Sequence, residues 1–111
     1  MAGQDDLVKA QQLQQQLQIV AMQKQQFSLQ NAEIDRALNE LGNASVAYRV
    51  AGSVMVEKSV PELKTQLSEE KESVEVRLKA LTRQEESLLN AFEDLRKRLE
   101  PMGGDDASIT N

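Results

Sequence analysis

Apolar residues recur along this chain in two long runs at alternating steps of three and four, separated by a short block with a different period. In the first run the positions are Ala10, Leu13, Leu17, Val20, Lys24, Phe27, Asn31, Ile34, Leu38 and Leu41. Such alternation is the heptad signature of a coiled-coil seam. In the second run one position repeats every seven residues without a stutter, through Val60, Leu67, Val74, Leu81, Leu88, Leu95 and Met102. Its companion, four residues on, holds Lys64, Lys71, Leu78, Glu85, Phe92 and Leu99, so it changes from polar to mostly apolar along the helix. Between the runs, from Gly42 to Ser59, helix-favouring residues give way to alternating β-branched and small ones around a Gly-Ser pair.

Local signals set the boundaries. Asp5 and Asp6 are candidate N-caps suited to the positive end of a helix dipole. Gly42 is expected to end the first helix in the left-handed conformation. Ser59-Val60-Pro61-Glu62 has the capping-box pattern, with Pro61 in the first turn, where a missing N–H costs little. Pro101 and Gly103-Gly104 end the second helix near Glu100. The expected layout is a flexible stretch 1–5, a helix over 6–42, a β-hairpin over 46–58, a helix over 60–100 and a disordered acidic tail over 103–111. Helices of about 54 Å and 60 Å follow at 1.5 Å per residue. Rods so matched should fold back antiparallel and bring Met1 and Asn111 near one tip. The fold class is mainly α: a long antiparallel two-helix coiled coil with one central β-hairpin.

Two positions of the first seam are polar, Lys24 and Asn31. They either set the register of the pair or reach water from a thin coil. The many glutamines between Gln11 and Gln26 have apolar residues among them at helical spacing, which marks a solvated helix face rather than a low-complexity tract.

Gly52-Ser53 suits a type II′ turn, pairing Ala51 with Val54, Val50 with Met55, Arg49 with Val56 and Tyr48 with Glu57. A turn at Ala51-Gly52 is the alternative and would shift one strand by a residue. In the first register one face carries Val46, Tyr48, Val50 and Met55. The other carries Ala47, Ala51, Val54 and Val56 beside Arg49. Both faces are apolar, more than one helix pair can cover, and an isolated hairpin is marginal in water. Open strand edges add to the problem. The hairpin is therefore expected to join hairpins of other chains in an inter-subunit sheet or β-barrel.

Composition narrows the function. With 111 residues, two Phe, one Tyr and no Trp, the chain is one domain without a large globular core. It has no Cys and no His, which removes disulfide and thiolate chemistry, the commonest general base and the commonest metal ligand. No cofactor, metal site or enzymatic activity is expected. A net charge of −5 argues against nucleic-acid binding. There is no signal-peptide pattern and no apolar run of bilayer-spanning length, so the expectation is a soluble cytoplasmic protein without a membrane partner.

The order helix, hairpin, helix, with Tyr48-Arg49-Val50-Ala51-Gly52-Ser53-Val54-Met55-Val56-Glu57-Lys58 at the centre, resembles the prefoldin family. A single hairpin is similar to the β-type subunit, as are Leu13-Gln14-Gln15-Gln16-Leu17 and the second seam. The likeness covers roughly residues 6–102, and Ser53 stands where many members have Pro. It implies a hexamer of two α-type and four β-type subunits whose hairpins, here Val46, Tyr48, Val50, Gly52, Val54, Met55 and Val56, build a double β-barrel. It further implies an ATP-independent holdase that grips unfolded proteins at its coiled-coil tips and passes them to a group II chaperonin.

That task needs apolar surface at helix ends that fray. Leu7, Val8, Leu13, Leu99 and Met102 are the candidates for client contact, although residues such as Leu13 could equally close the coil. Arg96, Lys97 and Arg98 are either a solvated face favourable at a helix C-terminus or a docking site for an acidic chaperonin rim. A coiled-coil scaffold that oligomerises through the hairpin without holding clients is the competing function.

Overall fold

The computed structural model describes residues 2–99 and contains two α-helices and one two-stranded antiparallel sheet. Helix α1 runs Ala2–Glu40, strands β1 and β2 run Ala47–Ala51 and Val54–Lys58, and helix α2 runs Val60–Leu99. The expected tail 103–111 lies outside the described residues.

Both ends of α1 differ from expectation. The helix begins at Ala2, so Ala2–Asp5, expected to be flexible, are helical, and Asp5 sits within the first turn rather than capping it. A carboxylate there meets the positive end of the helix dipole. At the other end Gly42 is not left-handed, since Gly52 alone has positive φ among the described residues. The chain tightens instead. The Gly42 N–H donates to the Asn39 carbonyl at 3.1 Å and the Ala44 N–H to the Leu41 carbonyl at 3.1 Å. The Lys64 ammonium donates to the Gly42 carbonyl at 3.2 Å. These bonds satisfy groups that a left-handed cap would otherwise serve. The start of α2 is as the sequence indicates: Ser59 Oγ accepts from the Glu62 N–H at 3.2 Å, an N-cap bond to the third helical residue.

The chain divides into two compact units. The first holds residues 25–79: the end of α1, the hairpin and the start of α2. Its core is Ile34, Leu41, Ala47, Leu63, Leu67 and Val74, flanked by Phe27, Ala37, Leu38, Val60 and Leu78. The heptad positions of both helices meet here, and Ala47 brings the base of β1 into the same cluster. Leu63 belongs to neither seam position. It is buried because it lies in the first turn of α2, where the hairpin base and the end of α1 converge on the core. The second unit holds residues up to Lys24 and from Ala80 onward, and Val20 and Leu95 are its buried apolar side chains.

Polar seam residues are matched to polar partners. Lys24 meets Glu85 at 2.8 Å within the second unit. In the first unit the Lys71 ammonium bridges Asp35 at 2.8 Å and Glu75 at 3.2 Å and donates to Asn31 Oδ1 at 3.3 Å. The hydrogen bonds that Lys71 donates to Asp35 and then to Glu75 hold its pKa above the ordinary value. Slipping one helix by a heptad would set Lys24 against Leu78 or Phe92 in place of Glu85, so these groups favour one register.

Two measurements check this packing. Leu63→Ala should lower unfolding stability by about 2–5 kcal/mol, read by denaturant melts, because the site can collapse only partly. Lys71→Met should be less stable than the parent near neutral pH. A raised folded pKa means that the Lys71 contribution is complete below its ordinary 10.5 and is lost as pH rises through the raised value. The gap between the two proteins should therefore narrow as pH rises above 10.5 and through the raised value.

Candidate functional site

The hairpin register pairs Ala51 with Val54, Val50 with Met55, Arg49 with Val56, Tyr48 with Glu57 and Ala47 with Lys58. Gly52 sits at φ 63° and no other residue of the turn has positive φ, which is the type II′ arrangement. A Cβ at Gly52 would meet nothing within 4 Å, so the glycine is required by backbone geometry and not by space.

Directly paired residues share a face. One face carries Ala47, Arg49, Ala51, Val54, Val56 and Lys58 and leans on α2. It is anchored only at its base, by buried Ala47 and by Arg49, whose guanidinium meets Glu70 at 2.6 Å. Toward the turn the anchoring stops, and an open cleft of about 610 Å³ is lined by Arg49, Ala51, Val56, Lys58, Gln66 and Glu70 among others. Val54 and Val56 are exposed there. The opposite face, with Tyr48, Val50 and Met55, is open throughout, and Val50 and Met55 are each 67% exposed. Val46 is exposed as well. All six large apolar residues named for assembly are thus solvent-facing in the single chain, five on one small sheet and Val46 directly before it, with Gly52 at its turn.

The second candidate surface lies in the unit containing the outer helix segments. Leu7 and Val8 are exposed, whereas Leu13 and Leu99 are half-buried. Met102 lies outside the described residues. Leu17, Leu88 and Phe92 are half-buried and Leu95 is buried, as expected of residues that close a coil. Of the basic cluster, Arg96 makes a bidentate contact with Glu93, its Nε and Nη2 at 2.9–3.3 Å from the two carboxylate oxygens. The Arg96 hydrogen bonds hold the Glu93 carboxyl below its usual range. Arg98 lies 3.7 Å from Asp6, and Lys97 is exposed. Arg96 and Arg98 are therefore engaged within the chain.

Ile19, Met22 and Leu89 were not among the residues singled out from sequence, yet all three are exposed in this unit. A signal existed for two of them. Val8, Ile19 and Met22 fall on the side of α1 away from the seam, and no charged residue stands between Lys9 and Lys24. Searching only for the seam period hides a second apolar stripe on the same helix.

Among the described residues no helix is long and apolar enough to cross a membrane. The fold defines a class: long-helix coiled-coil subunits that carry a single β-hairpin between their helices. A family model described as "Prefoldin subunit" matches residues 4–105. The chain is 36% identical over 100 residues to the prefoldin subunit beta of Methanosarcina barkeri, covering 87% of this chain and 86% of that one. It is 37% identical over 90 residues to the counterpart in Thermococcus kodakarensis, covering 78% and 77%. The crystal structure of the prefoldin beta subunit from Thermococcus strain KS-1 matches with a TM-score of 0.83 at 33% identity, covering 89% of this chain and 90% of that chain. This chain belongs to the prefoldin family of chaperone subunits, and its likeness is to the beta subunits.

The uncovered hairpin generates a direct expectation. Val54→Asp should leave helix content unchanged by circular dichroism while shifting sedimentation toward the single chain, because a buried unpaired carboxylate would be introduced wherever hairpins associate. Gly52→Ala should cost about 1–2 kcal/mol through backbone strain alone, read as a lowered denaturation midpoint.

Proposed function

We propose that this chain is the β-type subunit of an ATP-independent holdase, assembled through its hairpins and holding unfolded proteins at its helix ends. The observation that carries this reading is the concentration of exposed apolar side chains on a hairpin that its own helices anchor only at the base. Val46, Tyr48, Val50, Val54, Met55 and Val56 would be covered by hairpins of α-type subunits and further β-type copies, in a hexamer of two α and four β closed as a β-barrel. Barrel closure also removes the free strand edges. An assembly held this way gathers several helix-end units, and weak apolar contacts from each add by multivalency.

Client contact is assigned to Leu7, Val8, Leu13, Leu99 and Met102. Leu7 and Val8 present apolar surface at the start of α1 without rearrangement. Leu13 and Leu99 are half-buried and would contribute when the terminal turns open. Lys97, with Arg96 and Arg98 beside it, would meet an acidic rim on a group II chaperonin, to which the client is passed. The working compartment in this reading is the cytoplasm, and the chain needs no cofactor.

Leu7→Ser with Val8→Ser should leave assembly with an α-type subunit intact by native mass spectrometry yet weaken suppression of aggregation of a denatured client. Full suppression by the assembled double variant would remove these residues from the client surface. An intact assembly that never suppresses aggregation would leave a scaffold. Reversing Arg96, Lys97 and Arg98 together should weaken chaperonin binding at low salt, and unchanged affinity would discard the docking assignment.

A further inference from the structure

The hairpin face that leans on α2 carries Val54 and Val56, which nonetheless remain 57% and 40% exposed. The cause lies in the helix opposite. The wall that α2 presents to the cleft of about 610 Å³ is Gln66, Glu69, Glu70 and Ser73, and no apolar residue of that helix lines it. Their spacing, at i, i+3, i+4 and i+7, is that of a single helical stripe. A stripe facing a sheet is ordinarily where a helix places its apolar residues. Here the apolar residues of the same segment, Leu63, Leu67 and Val74, belong to the core. Glu70 is engaged by Arg49 at 2.6 Å. Among the described residues, Gln66, Glu69 and Ser73 make no side-chain hydrogen bond or ion pair with the sheet.

We propose that this polar stripe of α2 is a guard that keeps the hairpin from closing on its own helix and holds Val54 and Val56 in reserve for another subunit. Closing the cleft would strip water from Gln66, Glu69 and Ser73 without giving them partners. The sheet residues of this face nearest the turn, Ala51, Val54 and Val56, offer only aliphatic side chains, and a polar group buried without a hydrogen bond opposes the closure. Lys58 is the other cation lining the cleft, and it stands at the base of the sheet opposite Ala47, away from the turn end that would have to move. Leucines at the same three positions would give the two valines apolar cover within the chain. The shortage of cover at the hairpin is thus written into α2 itself.

The role in assembly rests on the hairpin reading above; the guard does not, and the test separates the two. The chain has no cysteine, so a single thiol can report cover. Val56→Cys on the inner face and Met55→Cys on the outer face are each labelled with a maleimide in the full-length chain, at dilutions where it sediments singly. Adding Gln66→Leu, Glu69→Leu and Ser73→Leu should slow labelling of Val56→Cys at least about tenfold, because reaction then waits on local opening. Labelling of Met55→Cys and helix content by circular dichroism should not change. Glu69→Leu alone should slow Val56→Cys in the same direction. Unchanged rates at Val56→Cys in both variants would overturn the guard. Equal slowing at Met55→Cys would overturn it too, since chains would then be covering one another. Glu69→Gln, which keeps polarity and removes charge, should label at the parental rate, and slowing there would overturn polarity as the cause. Without cysteines, the three leucines should weaken association with an α-type subunit at least about tenfold by native mass spectrometry, because only the open fraction can associate. Slowed labelling with unaltered association would keep the guard and overturn its role in assembly. A parent chain that never associates would remove the hairpin reading, with labelling still deciding the guard.

Discussion

Two helices bury one seam between them, and among the described residues that seam supplies the hydrophobic cover. Most of it goes to the helices themselves, through Ile34, Leu67 and Val74 in one unit and Val20 and Leu95 in the other. At the hairpin the remaining cover extends to the base of β1 and stops. Ala47 joins the core, Arg49 reaches Glu70, Lys58 is half-buried, and the rest of the sheet faces solvent on both sides. Burial of apolar area is worth about 25 cal/mol per Å², so leaving this surface wet is a standing cost that association with another chain would relieve. The association proposed for the hairpin follows from that shortage.

The polar positions in the seams work against the same economy and in favour of specificity. Lys24 with Glu85, and Lys71 with Asn31, Asp35 and Glu75, are half-exposed groups whose pairing adds little net stability. Their effect is comparative. A slipped register would set Lys24 against Leu78 or Phe92, so the native alignment wins chiefly by the cost of the alternatives. A helix pair built on leucine alone would hold more tightly and define its alignment less well.

The helix-end unit shows how one face can serve two ends. Leu95 is buried and Leu13 half-buried where they close the coil. Those same residues form the floor of an open groove whose rim is charged. Leu7, Val8, Ile19 and Met22 stand outside the seam altogether. Apolar surface is therefore graded, from packed, through half-covered, to open, within one short stretch of two helices.

Much of this was legible in the sequence, because heptad spacing and β alternation are properties of the covalent order. All ten positions of the first seam, from Ala10 to Leu41 just past the end of α1, are buried or half-buried in the structure. Gly52 limited the hairpin to two registers, and the α2 start followed from Ser59 and Pro61; the structure decided for the Gly52-Ser53 turn. What the tertiary structure decided was how groups distant in sequence meet. Leu63 lies off the seam period and is buried only because the hairpin base comes down on it. Gly42 ends the first helix without a left-handed turn, and its carbonyl is reached by Lys64, a residue of the other helix. Asp6 was assigned as a cap and instead faces Arg98, a pairing no local pattern contains. The periodicity of a chain determines which surfaces must find cover; only the folded arrangement determines which of them do, because cover is supplied by residues the local sequence cannot name.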